Sequence, residues 1–412
     1  MFELSNIRVE KKDCRSFVVS DFRSNKFGDD TIWFSVPEKY ESFLNTTSYN
    51  AFFVALIYPA MMLGEDICIN GKVSKKLFFS IKNYVKPFIK MYSPETVDVN
   101  ITVSELESSC FENNDHVGTG YSGGVDSLCT IYDHYELEEV EDYKIDTLLF
   151  FNTGSHGVFS NKNTLNKFRT RYEYLTKYAF LPFIPLDSNI HKFLEFLPSS
   201  HIRTVSFTNA SGVLALEKGI NKYYVASSNS YYEAIKYGIN DLNFCTEDFD
   251  SILLPLLSTE SISIIADGQQ YTRSQKTERI VNHELARKSL NVCINDKISD
   301  EKNCSKCSKC LRTLFTLESM DSLDNFSEVF DLKVYKKNSF KYKCEQRVMY
   351  RKNEFAKDNI DFAKLHKKHI PNIIIATIVT LPSRTIFRIK RIMLKVMGKD
   401  FCNSLKKSFG KE

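Results

Sequence analysis

Tryptophan occurs once in the 412 residues, glycine 15 times and proline 10 times. That scarcity excludes a collagen-like or Gly/Pro-rich low-complexity chain. An excess of one charge is lacking too. The 55 Lys and Arg face 51 Asp and Glu, a net +4, which is too even for a chain coated for nucleic acid. No apolar stretch approaches the ~20 residues needed to cross a bilayer; the longest late run, Ile373 to Leu381, has nine. Met1-Phe2-Glu3-Leu4-Ser5 has neither the basic nor the apolar region of a secretory leader. The expectation is a cytoplasmic protein. No repeat of about 20–50 residues recurs, which excludes solenoids and propellers. No His-x-x-x-His pair, Ser-His-Asp signature or paired-carboxylate pattern points to hydrolase chemistry.

What is present is a chain 43% hydrophobic and 13% aromatic, ample for a core. Its length fits two or three domains of roughly 150 residues. The first ~115 residues read as a small α+β unit. Strands are expected at Ser16–Val19, Thr31–Phe34 and Val97–Ile101, and helices over Asn50–Met62 and Val73–Tyr92. From His116 onward short apolar strands alternate with longer helical stretches. Strands are expected at His116–Tyr121, Asp146–Phe151, Phe180–Leu186, Tyr223–Ala226 and Ile262–Ile265. Helices are expected at Val125–Tyr135, Asn161–Tyr178, Ser206–Lys218 and Thr272–Leu290, the last opened by a Thr272/Gln275 capping box. Such alternation predicts an α/β fold with a doubly wound parallel sheet, binding ligands at the carboxyl ends of its strands. The organisation expected is 1–115, an N-terminal α+β unit; 116–292, a ligand-binding α/β domain; 293–321, a cysteine knuckle; and 322–412, a basic, mainly helical region.

Ser122-Gly123-Gly124-Val125-Asp126-Ser127 lies between an expected strand and an expected helix. Two glycines allow a tight turn and close approach of backbone to an anion. The amides of the bend and of the first helical turn, with the positive helix end, would form an anion cradle. Ser122 and Ser127 can add hydroxyl donors. Asp126 would be misplaced beside a bare phosphate, but makes sense if Mg²⁺ bridges it to phosphate oxygens. No Gly-Lys-Ser/Thr follows, so this is not a Walker A loop.

Cys304-Ser305-Lys306-Cys307-Ser308-Lys309-Cys310 follows Cys293 by eleven positions. Four thiolates so spaced can close a tetrahedral, structural Zn²⁺ site, and Lys306 and Lys309 offset its charge. An iron–sulfur cluster is the rival occupant.

The loop resembles the SGG-x-DS signature of the PP-loop ATP pyrophosphatase superfamily, a Rossmann-like (HUP-type) fold, at all its fixed positions. With the terminal CxxCxxC run and Leu311-Arg312-Thr313 after it, the stretch from about His116 to Thr313 resembles the 7-cyano-7-deazaguanine synthase branch. The resemblance implies ATP bound with Mg²⁺, Zn²⁺ on Cys293, Cys304, Cys307 and Cys310, and an AMP-forming ligase. Such an enzyme adenylates a carboxylate or carbonyl, releases pyrophosphate, and lets ammonia or an amine displace AMP. Residue 2 is Phe, so an N-terminal glutaminase cysteine is not expected. The acceptor is left open.

Lesser nucleotide contacts are expected at Asn152-Thr153-Gly154 and at Ser227-Ser228-Asn229, though these residues also make ordinary turns. Arg273 and Lys276 open a helix, where cations oppose the dipole, and are expected to neutralise the triphosphate; the plainer reading is a solvated face. The catalytic set expected is Asp126, Ser122 and Lys276. Cys129 and Cys245 would matter to a thiolating, tRNA-modifying enzyme, the alternative function; a non-catalytic nucleotide-binding partner is a third. His156 is a further candidate substrate contact. From Lys364 to Glu412 twelve Lys or Arg stand against two acids, so this tail carries +10 and the remainder −6. A docked helix, a nucleic-acid contact and an anionic membrane surface compete for it; nucleic acid is not favoured, and homo-oligomers are allowed.

Overall fold

The computed structural model describes residues 1–108, 110–111, 115–153, 162–197, 200–240, 245–293 and 303–381. The chain divides into two compact units, Met1–Val292 with Asp296–Asn303 and Cys293–Asn295 with Cys304–Glu412.

The larger unit opens with an antiparallel meander of β1 (Phe2–Lys12), β2 (Arg15–Ser24) and β3 (Gly28–Pro37). Asp13 and Cys14 both take positive φ, 51° and 58°, between the paired Lys12 and Arg15. That conformation matches the right-handed strand twist at a two-residue hairpin. Helix α1 (Asn50–Leu63) is buried from Asn50 through Met61 and stops at Gly64, whose φ of 66° caps it. β4 (Ile67–Ser74) runs parallel to β1. Ser74 caps α2 (Lys75–Ser80), a wide turn over 81–85 follows, and α3 (Lys86–Tyr92) completes the segment. β5 (Ile101–Glu107) pairs parallel with β4.

After β6 (His116–Gly120) the expected alternation holds: α4 (Val125–Ile131), β7 (Thr147–Asn152), α5 (Lys162–Tyr178), β8 (Phe183–Ser188), α6 (Ser200–Leu214), β9 (Ile220–Ala226), α7 (Tyr231–Asn240), α8 (Asp250–Leu256), β10 (Ser263–Asp267), α9 (Arg273–Arg279) and α10 (Glu284–Ser289). The capping box at Thr272 and Gln275 is formed. The helix expected over Thr272–Leu290 is broken into α9 and α10 by a tight turn at Ile280–Asn282.

All ten strands share one mostly parallel sheet, in the order β10-β9-β6-β7-β8-β3-β2-β1-β4-β5. The five strands from β10 to β8 run parallel. β3 pairs antiparallel with β8 through Phe34↔Ser188 and Ser35↔Asp187. The boundary expected near residue 115 therefore falls between two strands of the same sheet. The central parallel strands carry short apolar runs, as both-face burial demands: Leu148, Leu149 and Phe150 of β7 are buried, and so is every residue of β8.

One buried carboxylate ties the leading segment to the later helices. Glu217, 1% exposed, accepts hydrogen bonds from Asn45 Nδ2 (2.5 Å), Asn50 Nδ2 (2.7 Å), Thr259 Oγ1 (2.8 Å) and Ser48 Oγ (3.4 Å). Burial outweighs those donors and pushes its carboxyl up to about 7.

The smaller unit holds α11 (Ser308–Ser319), α12 (Leu332–Met349) and α13 (Glu354–Leu365), followed by a helix over 373–381. Asn359 links the three named helices, donating to Thr316 Oγ1 (3.0 Å) and accepting from Tyr342 Oη (3.2 Å). Among the described residues no helix is long and apolar enough to cross a membrane. The basic stretch from Arg384 lies outside the described residues.

Glu217 generates a pH prediction. A carboxyl raised above its unfolded value of about 4.3 makes a contribution that is whole below that pH and is lost as pH rises through about 7. The stability of the wild type relative to Glu217→Gln should therefore fall by roughly 3 kcal/mol across that interval. Urea unfolding at a series of pH values measures it, and a pH-independent difference would refute the assignment.

Candidate functional site

β6 has β7 on one side and β9 on the other, so the chain leaves its carboxyl end at the switch point of the parallel strands, where such sheets bind ligands. There Gly123 adopts φ 74°, a conformation that favours glycine, and Gly124 precedes the first turn of α4. Gly124 N donates to Ser122 Oγ (3.3 Å), and Ser122 Oγ lies 3.0 Å from Ser127 Oγ. Val125, first in α4, is buried. The bend is braced from outside: Asn291 N donates to Gly123 O (2.7 Å) and Arg171 Nε to Ser122 O (2.9 Å). Arg171, on α5, also lies over the Phe150 ring.

Arg273 and Lys276, on α9, both reach Asp126 on α4. Arg273 Nη1 lies 2.5 Å from Asp126 Oδ2, and Lys276 Nζ lies 3.2 Å from Oδ1. The Lys276 side chain is 1% exposed and Arg273 12%, so neither is a solvated surface cation. Burial alone would raise the Asp126 carboxyl, but the two cations hold it below the usual carboxylate range. Gly268, at φ 79°, makes room for this arrangement: a Cβ there would sit 3.2 Å from Lys276 Cε and Nζ.

Ser227 and Ser228 lie beside the same two cations. Their hydroxyls are engaged away from the loop, Ser227 Oγ on Asp250 (2.9 Å) and Ser228 Oγ on Glu247 (2.9 Å). Their carbonyls are what face the cations. Lys276 Nζ donates to Ser227 O (2.5 Å) and Arg273 Nη2 to Ser228 O (3.5 Å). Burial pushes Asp250 up to about 8. Asn152 and Thr153 are buried at the end of β7; Gly154 and His156 lie outside the described residues.

Sequence reasoning missed three groups. Arg171 carried no signal, being one cation on a polar helix. His134 stacks on Tyr224 at 4.1 Å and bonds to Asp267 Oδ1 (3.0 Å), bracing the end of β10. Gln269, 1% exposed, follows Gly268 directly, and neither side-chain polar atom has a hydrogen-bond partner among the described residues. A buried amide left so is exceptional and costs stability.

In the smaller unit Cys293, Cys304, Cys307 and Cys310 come together with all sulfurs within 4.8 Å of one another. Cys304 Sγ lies 3.8 Å and Cys307 Sγ 3.4 Å from Cys310 Sγ. A tetrahedral ZnS₄ site with bonds of about 2.3 Å has edges near 3.8 Å, so the set fits a metal ion such as zinc. Backbone amides already point at the sulfurs, Cys304 N to Cys293 Sγ (3.5 Å) and Cys307 N to Cys304 Sγ (3.2 Å). Ser305 supplies the positive φ, 55°, that turns the chain between two ligands. Burial and the neighbouring sulfurs push the Cys310 thiol up, which a bound cation would reverse. None of the cysteines among the described residues is in a disulfide.

No protein-family model matches the chain, and no curated protein or solved structure matches it either.

Two measurements follow. Metal analysis of the purified chain should find one zinc ion per molecule, lost in Cys304→Ser and Cys307→Ser; a brown chromophore with iron and sulfide would overturn zinc. Gly268→Ala should destabilise by about 1–2 kcal/mol, the cost of a Cβ in the left-handed region, readable as a lowered denaturation midpoint.

Proposed function

We propose that the larger unit binds ATP with Mg²⁺ at Ser122–Ser127 and is an AMP-forming ligase. A substrate carboxylate or carbonyl oxygen attacks the α-phosphorus, the bond to the β-phosphate breaks, and pyrophosphate departs. Ammonia or an amine then attacks the activated carbon and AMP leaves. The observation that carries this reading is the convergence of Arg273 and Lys276 on Asp126, beside the Gly123-Gly124 bend at the end of a central strand. Two cations against one carboxylate leave positive charge in excess where a phosphate chain would lie, and transition-state charge is stabilised by such pre-placed donors. Asp126 would turn to Mg²⁺ once phosphate oxygens took over its two partners.

The parallel order β8-β7-β6-β9-β10 supports the Rossmann-like, doubly wound assignment, with the loop at the switch point of the strand order. Amine transfer is preferred to thiolation because Cys129 and Cys245, the thiols a thiolating enzyme would call on, are poor nucleophiles. Cys129 is buried with its thiol pushed up, and burial pushes Cys245 up to about 12.

A pyrophosphate-release assay over candidate carboxylates with Mg-ATP and ammonium, with products identified by mass spectrometry, tests the reading. Asp126→Asn and Lys276→Met should each lower kcat by about 100-fold or more. Release of ADP and inorganic phosphate in place of AMP and pyrophosphate would overturn it.

A further inference from the structure

The helix over 373–381 is built inside out. Asn372 caps it, accepting from Ile374 N through Oδ1 (2.8 Å), and Pro371 precedes it. Its buried positions are small or polar, Ala376 at 0% and Thr380 at 2% exposure. Its large aliphatic side chains face outward: Ile373, Ile374, Ile375 and Ile378 are 44–67% exposed. Ordinary amphipathic helices put such residues inward. Leu365, just upstream, is 76% exposed.

We propose that this isoleucine face lies on an anionic lipid surface. Charge complementarity selects that occupant. From Lys364 to Glu412 twelve Lys or Arg stand against two acids. Residues 382–412 lie outside the described residues and enter only through that composition. Lys367 is exposed, while Lys364 pairs with Asp361 and Lys368 with Asp321. An aliphatic face flanked by cations is the pattern of a helix lying in the interface of an acidic bilayer. The apolar run from Ile373 to Leu381 is nine residues, far short of the ~20 needed to cross a bilayer, so contact at the surface is what it can make. A nucleic acid would use the cations but gives four isoleucines nothing to stack on. A second copy of the chain would carry the same net positive tail, which gives no charge complementarity.

Vesicle co-sedimentation of the full chain tests this. The wild type should pellet with phosphatidylcholine vesicles containing phosphatidylserine. It should bind phosphatidylcholine vesicles at least about 10-fold more weakly, and lose affinity as salt rises. The exposed double change Ile374→Ser with Ile378→Ser should cut binding by about 10-fold or more at an unchanged melting temperature. Absence of pelleting with either vesicle would overturn the proposal. So would equal binding by the double variant, binding to RNA or duplex DNA without binding to vesicles, or a dimer that the double variant dissociates while vesicles leave the protein unbound.

Discussion

The ion group of Asp126, Arg273 and Lys276 is the constraint on which the loop after β6 depends. Charges taken from water are costly, and a buried ion group persists only when geometry and extra hydrogen bonds compensate each member. Here Lys276 is almost fully buried, yet it has Asp126 and the Ser227 carbonyl as partners. Arg273 has Asp126 and the Ser228 carbonyl. The group therefore draws together α4, the loop after β9 and α9. Removal of Asp126 leaves two neighbouring cations without their shared counter-ion, so the elements are tied to one another by electrostatics as well as by apolar packing.

That lock was half legible in the sequence. The bend was legible because two glycines between an apolar strand and a helix have few other uses, and the cations because they sit where a helix dipole opposes them. At Ser227 and Ser228 a sequence displays hydroxyls, whereas the atoms that meet the cations are carbonyls presented by strand geometry, and the hydroxyls bond to acids from α8 and the turn before it. Gln269 and Arg171 were invisible, since a single amide or cation acquires meaning only from what the fold places around it.

The same distinction runs through the fold. Parallel strands buried on both faces carry continuous apolar runs, so β7 and β8 announce themselves. The junction of β3 with β8 rests on two residue pairs separated by more than 150 positions, with no local pattern to betray it. The break between α9 and α10 was missed because both halves keep a helical period and only the turn at Ile280–Asn282 interrupts it. The cysteine cluster was legible because i, i+3, i+6 spacing among lysines is itself the geometry of a knuckle, while the remote ligand Cys293 is joined through backbone-to-sulfur bonding.

Charge distribution adds a further constraint. A net +4 conceals a tail of +10 against a remainder of −6. An anionic surface attracts the first and repels the second, so electrostatic attraction alone is partly cancelled and is screened by salt. A single weak membrane signal gives only marginal, reversible attachment, and stable attachment takes two. The exposed isoleucines supply an apolar contribution that salt does not screen. The aliphatic face and the basic tail thus make sense together where neither would alone: one sets how firmly the chain could hold a bilayer, the other which bilayer it would choose.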